Sequence, residues 1–137
     1  MNSLCVASYL LCSIFGDVYS KFNYTSDIEQ YGIEEYRVSF AHAVKNNRDF
    51  RGDCDDFAYT MRDLLQEQGY DTELHIVQTY VMSGSKPHMV LRVREDDEYY
   101  MVDNRYPTIR TWENGMSGSM YTVLAPEKLS MNSQNTP

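Results

Sequence analysis

A chain of 137 residues, 42% hydrophobic and 23% charged, is long enough for one domain with one core and too apolar for general disorder. Its net charge of −8 and pI of about 4.7 exclude nucleic acid and membrane as main partners, because both call for a basic face and no basic cluster is present. Twelve tyrosines fit a strand-rich half with partly exposed faces, since each joins an apolar ring to a polar tip.

The first element expected is a buried helix over residues 3–15, with Ser3 as N-cap and Gly16 as its stop. It is too short to span a membrane, and no Lys or Arg precedes it as in a secretory signal. Cys5 and Cys12 would sit two turns apart on that helix, roughly 10 Å along its axis and too far for a disulfide. They read as small core residues, which suits a reducing compartment and places the protein in the cytoplasm rather than the periplasm.

Val18 to Tyr24 fits a short helix or an extended segment with aromatic anchors. Residues 26–32 suggest a helical turn closed by Gly32, and a second helix is expected from about Glu34 to Lys45. Asn46 to Asp49 is a turn cluster. The strongest helical pattern runs from Cys54 to Gln68. Phe57, Met61, Leu64 and Leu65 form its apolar stripe, and Gly69 ends it. Asp53 is its N-cap, and Asp56 completes an acidic capping box.

After Gly69 the pattern turns to strands. They are expected at 73–82, 88–95, 98–103 and 120–124, with loops at 83–87 and 106–118. Helices first and strands after imply an α+β fold, with N-terminal helices packed on an antiparallel sheet. Residues 1–126 read as one domain, and 127–137 as a polar tail.

Within this frame, Arg51-Gly52-Asp53-Cys54-Asp55-Asp56 places a thiol at a helix N-terminus, where backbone N–H groups favour a thiolate. A two-residue turn at Asp96-Asp97 pairs Glu95 with Glu98. Carried back, that register sets Val90 opposite Asp103 and puts His88 and Asp103 on one face as diagonal neighbours, roughly 7–8 Å apart. The helix can bury its stripe only on the sheet, with its N-terminus over the strand end that bears His88. Cys54 as nucleophile, His88 as base and later acid, and Asp103 as orienter of the ring then follow. On residues alone a blander reading stays open, with Cys54 a plain helix-start cysteine, His88 a strand residue and Asp103 the start of an Asx turn. His42 and His75 are also available, but neither has an acidic residue so well placed. Asp53, Asp55 and Asp56 oppose a thiolate and need neutralising.

Gly52-Asp53-Cys54-Asp55-Asp56-Phe57-Ala58, Pro87-His88-Met89-Val90-Leu91 and Met101-Val102-Asp103-Asn104 together resemble the bacterial transglutaminase-like cysteine peptidases. Order and spacing match, and the resemblance covers roughly residues 20–110. It implies a papain/transglutaminase-like core, the triad Cys54, His88 and Asp103, and a protein or peptide substrate. That family usually has a tryptophan near position 36; here Tyr36 stands there and would offer its hydroxyl to an oxyanion, beside the Cys54 N–H. A calcium-dependent periplasmic member uses acidic residues beside its cysteine as calcium ligands. Asp53 and Asp55 match those positions, so the resemblance implies calcium as a candidate cofactor, although the triad itself requires none.

The function expected is hydrolysis of a protein amide bond through a thioester. The same triad serves a transglutaminase or a protein deamidase. A module that keeps the fold and binds a partner without turnover, as a phage-encoded protein would, is the remaining alternative.

Overall fold

The computed structural model describes residues 5–25, 38–81 and 84–123. Tyr36, the turn expected at 26–32 and the tail at 127–137 lie outside the described residues.

Helix α1 spans Tyr9–Lys21, six residues later than its expected start. Ser8, not Ser3, is the cap, and its side chain accepts from the Leu11 N–H. The helix runs through Gly16, where an added Cβ would meet nothing, so glycine ends nothing there. Because the helix starts at Tyr9, Cys5 precedes it and is free to fold back on Cys12. The two form a disulfide with Cα atoms 6.2 Å apart, contrary to the separation expected for a continuous helix.

Strand β1 (Phe22–Tyr24) pairs in parallel with β2 (Phe50–Gly52). Between them, the described part of the second expected helix is α2, Ala41–Lys45. Helix α3 spans Cys54–Glu67, as its apolar stripe and caps predict. Gly69 follows it with φ +87°, a left-handed conformation that L side chains rarely adopt. Val38 and Phe40 N–H groups bond to Asp56 and Thr60, which ties the preceding segment to α3.

The second half is a five-stranded antiparallel sheet in the order β6-β5-β4-β3-β7. Its strands are β3 (Asp71–Val81), β4 (Gly84–Glu95), β5 (Glu98–Val102), β6 (Arg110–Thr111) and β7 (Thr122–Val123). The β4–β5 hairpin pairs Glu95 with Glu98 and Leu91 with Val102, the register read from its two-residue turn. Two expected loops are partly regular. Strand β4 begins at Gly84 and takes in Pro87, while the 106–118 segment contains β6 and a helix, α4 (Trp112–Ser119), capped by Thr111. Helical spacing of Trp112 and Met116 on a short polar segment was too weak a signal to announce it.

Side chains of β4 alternate between two cores. Met89, Leu91 and Val93 join Phe57, Met61 and Leu65 of α3 and Leu11 and Phe15 of α1, all buried. Val90 turns to the other face, with Val77, Met101 and Tyr121, against which Trp112 and Met116 of α4 pack. Each large apolar side chain so buried contributes about 1.5–3 kcal/mol. The larger core fixes α3 across the sheet and with it the position of Cys54. No described helix is long and apolar enough to cross a membrane.

Candidate active site

Cys54 is the first residue of α3, and the cap before it is made of carboxylates. Asp53 accepts from the Asp55 and Asp56 N–H groups, while Asp56 accepts from the Asp53 N–H at 3.1 Å. This reciprocal box uses the second and third amides of the helix and leaves that of Cys54 outside it. Asp56 is fully buried and also accepts from the Val38 N–H at 2.7 Å. Gly52 is required by this packing: a Cβ there would lie 2.6 Å from Asp56 Cβ and Oδ2.

Strand β5 ends at Val102, opposite Leu91, so Met89 lies past the end of that ladder. Its backbone N–H acts on the Cys54 thiol and favours the thiolate. The nucleophile candidate therefore meets β4 at the residue next to His88. Cys54 and His88 line one cleft of about 580 Å³. His88 is buried, and its Nε2 is 2.7 Å from Asp103 Oδ1. The structure thus brings together the three residues singled out in the sequence, two of them by a direct hydrogen bond. Neither His42 nor His75 takes part. His42 Nε2 meets Asn46, and His75 Nε2 meets Glu73.

Asp103 is more firmly held than sequence reasoning expected. Its Oδ1 also accepts the Arg105 N–H at 3.0 Å, and its Oδ2 accepts the Tyr121 hydroxyl at 2.7 Å. The Arg110 guanidinium lies 3.6 Å from Oδ2. Burial alone would raise this carboxyl. The hydrogen bond and charge of His88 outweigh it, with Tyr121 and the Arg105 N–H, and hold Asp103 below the usual carboxylate range. Tyr121 and Arg110 carry no spacing signal that links them to Asp103. Arg110 reaches it from β6, which pairs it with Met101 of β5, and Tyr121 reaches it from the segment that follows α4.

The thiol behaves otherwise than its place on the helix predicted. Burial pushes Cys54 well above its ordinary value, and the charge of Asp55 adds to this, followed by Asp53. The Met89 N–H pulls the other way but does not prevail. The S–H donates to Asp55 Oδ1 across 3.5 Å. In this state Cys54 is a neutral thiol. Asp56, in turn, is pushed up to about 7 by burial, against the Val38 N–H, so near neutrality it carries part of a proton. That removes some of the negative charge around Cys54.

Calcium fits the described residues poorly. Asp53 commits Oδ1 to two backbone amides, and Asp55 faces the thiol. No group of three or more His, Cys, Asp or Glu among the described residues is arranged to hold a metal. Two carboxylates fall short of the six to eight oxygens a calcium ion takes.

Over residues 8–125 the sequence matches the bacterial transglutaminase-like cysteine proteinases. The chain belongs to this family. No curated protein matches the chain in sequence. Among solved structures, LapG of Legionella pneumophila after EGTA treatment superposes with a TM-score of 0.55 at 20% identity, over 81% of this chain and 60% of that one. Calcium-bound LapG gives 0.53 at 21% identity, over 88% and 66%. A further LapG structure gives 0.53 at 20%, over 81% and 61%. These likenesses show a shared fold, the transglutaminase-like arrangement of helices on an antiparallel sheet. The chain spans about 60–66% of the length of those LapG chains.

Proposed function

We propose that this family member is a cysteine peptidase that cleaves a protein amide bond, with Cys54 as nucleophile, His88 as acid and base, and Asp103 as orienter. The observation that carries this reading is the 2.7 Å bond from His88 to Asp103, in the cleft that also holds the Cys54 thiol. Cys54 Sγ attacks the scissile carbonyl while its proton passes to His88. The tetrahedral oxyanion faces the Cys54 N–H, which the cap leaves outside its own bonds. The intermediate collapses to a thioester as His88 returns the proton to the leaving amine. Water, deprotonated by His88, then cleaves the thioester and restores the thiol. Asp103 keeps the imidazole in one tautomer throughout. Because Cys54 starts neutral, proton transfer to His88 accompanies attack instead of preceding it.

Release of the thioester by an amine would make the enzyme a transglutaminase, and attack on a glutamine side chain would make it a deamidase. The test is a proteome-wide comparison of cleaved and modified proteins after treatment with wild type and with Cys54→Ala, each with and without added calcium. New protein termini that Cys54→Ala does not produce support the peptidase. Deamidated or cross-linked glutamines in their place support the other two chemistries. A calcium requirement in that comparison would mean that oxygens beyond Asp53 and Asp55 complete the site.

The half-buried, neutral thiol favours a second reading, a binding module without turnover. Identical effects of wild type and Cys54→Ala in the same comparison would establish it. The compartment is also a proposal. The Cys5–Cys12 disulfide fits an oxidising compartment such as the periplasm better than the cytoplasm expected from cysteine spacing. Cell fractionation decides between them.

A further inference from the structure

The cleft beside Cys54 carries a charge opposite to that of the molecule. Lys86 and Arg105 line it, and both are exposed. They are placed by the triad's own elements. Lys86 lies two residues before His88 on β4 and so shares its face, and its carbonyl accepts from Thr79 on β3. Arg105 lies two residues after Asp103, and its N–H bonds the Asp103 carboxylate at 3.0 Å.

Other cations of the described chain are largely used. Lys21, Lys45, Arg62, Arg92, Arg94 and Arg110 each lie within ion-pair distance of a carboxylate. Among the described residues, four cations make no such pair: Arg48, Arg51, Lys86 and Arg105. Two of those four therefore flank the cleft of a chain whose net charge is −8. Phe22 and Tyr24 line the same cleft and offer rings to apolar side chains. Such a surface suits an extended segment that combines apolar residues with carboxylates.

Resting on the peptidase reading above, we propose that the cleft selects acidic peptide segments, with Lys86 and Arg105 binding Asp or Glu side chains close to the scissile bond. The remaining surface, which is acidic, repels such segments, so the two cations supply register as well as attraction. Each contact is partly exposed and modest in strength, and the preference weakens as salt screens it.

The test digests a proteome-derived peptide pool with wild type, with Lys86→Glu/Arg105→Glu, and with Arg48→Glu/Arg51→Glu, and reads residues around each cleaved bond by mass spectrometry. Arg48→Glu/Arg51→Glu makes the same change of net charge at exposed positions outside the cleft. Expected is enrichment of Asp and Glu within a few residues of the bond for wild type and for Arg48→Glu/Arg51→Glu. For Lys86→Glu/Arg105→Glu the ratio of kcat/KM between a Glu-flanked and a Lys-flanked peptide should fall on the order of fivefold to tenfold. Absence of acidic enrichment, or enrichment unchanged in Lys86→Glu/Arg105→Glu, overturns the proposal. If no cleavage depends on Cys54, the peptidase reading fails separately. Fluorescence anisotropy on Cys54→Ala then compares two labelled peptides that differ only in Glu or Lys beside the central bond. Tighter binding of the Glu peptide, lost with Lys86→Glu/Arg105→Glu, upholds selection of acidic segments, and equal binding of the two peptides overturns it.

Discussion

Tyr121 donates its hydroxyl to Asp103 Oδ2 at 2.7 Å, on the opposite side of the carboxylate from His88. Both groups are buried. The Asp103 carboxylate is therefore fixed at each oxygen. The Tyr121 ring also lies 5.8 Å from that of His88, while its hydroxyl acts on His88 through the carboxylate, as a positioning group. Burial pushes the Tyr121 hydroxyl up, and the bond to Asp103 adds to this, so it remains a donor throughout the working range.

Tyr121→Phe keeps the ring and removes that bond. A hydrogen bond to a buried charge contributes about 1.5–3 kcal/mol. Asp103 lies below the usual range when folded, so its contribution is full above the unfolded carboxylate value of about 3.9 and is lost as pH falls through the folded value. Removing one donor shrinks that contribution. Urea unfolding should show the variant less stable by about 1–2 kcal/mol at pH 7, with the gap closing toward pH 3. Turnover should fall about tenfold in kcat with KM little changed, because the ring of His88 is less well held at the moment of transfer. A stability loss that is the same at both pH values would mean that only packing had been disturbed.

Asp55 keeps the Cys54 thiol protonated, second only to burial. Wild-type Cys54 should therefore react with iodoacetamide at pH 7 no faster than an ordinary thiol, despite its place at a helix N-terminus. Asp55→Asn removes the charge and keeps the size. Alkylation should then be about threefold to tenfold faster at pH 7, with the rate rising at lower pH than in wild type. Rapid labelling of wild type at pH 6 would show that substrate is not needed to prime the thiolate.

Asp56 runs opposite to Asp103. Its folded value, about 7, lies above the unfolded one, so it favours the fold while protonated. That contribution is full below the unfolded value and is lost as pH rises through about 7. Between pH 5 and 8 it should make wild type lose stability at no more than about 1.4 kcal/mol per pH unit. Asp56→Asn is neutral throughout. It keeps one acceptor oxygen in place of two, so it loses the bond to either Val38 or Asp53 and should be less stable at pH 5. The difference in unfolding free energy between the two proteins should narrow steadily from pH 5 to pH 8. A difference independent of pH would mean that Asp56 is ionised across this range.

Legibility followed how local the physics is. The cap at Asp53, the helix from Cys54 and the Glu95–Glu98 register are set by residues close in sequence, and each was readable. The hairpin register in turn placed His88 beside Asp103, a contact 15 residues apart that rests on one two-residue turn. What was hidden depends on distant packing. Tyr121 reaches Asp103 because α4 covers the second face of the sheet. The raised state of Cys54 arises from burial, which no motif states. The disulfide was missed for a local reason, a helix start set six residues too early.

That disulfide makes the last prediction. It closes a short loop that holds Ser8, whose N–H bonds Glu95 Oε1 at 2.9 Å, while the Tyr70 hydroxyl bonds Oε2 at 2.8 Å. The loop thus anchors the start of α1 to the turn end of β4. Cross-linking two residues seven apart removes freedom from the unfolded chain, and this loss stabilises the fold by about 2–3 kcal/mol. Cys5→Ser/Cys12→Ser should melt on the order of 5–10 °C below the oxidised wild type, and dithiothreitol should lower the wild type to the same point without affecting the variant. Alkylation of Cys54 at 25 °C should be the same in both proteins, because Cys54 is a free thiol at the far end of α3 from Tyr70 and the anchored turn. A melting point in wild type that dithiothreitol leaves unchanged would mean that the bridge does not form, and with it the case for an oxidising compartment would lapse.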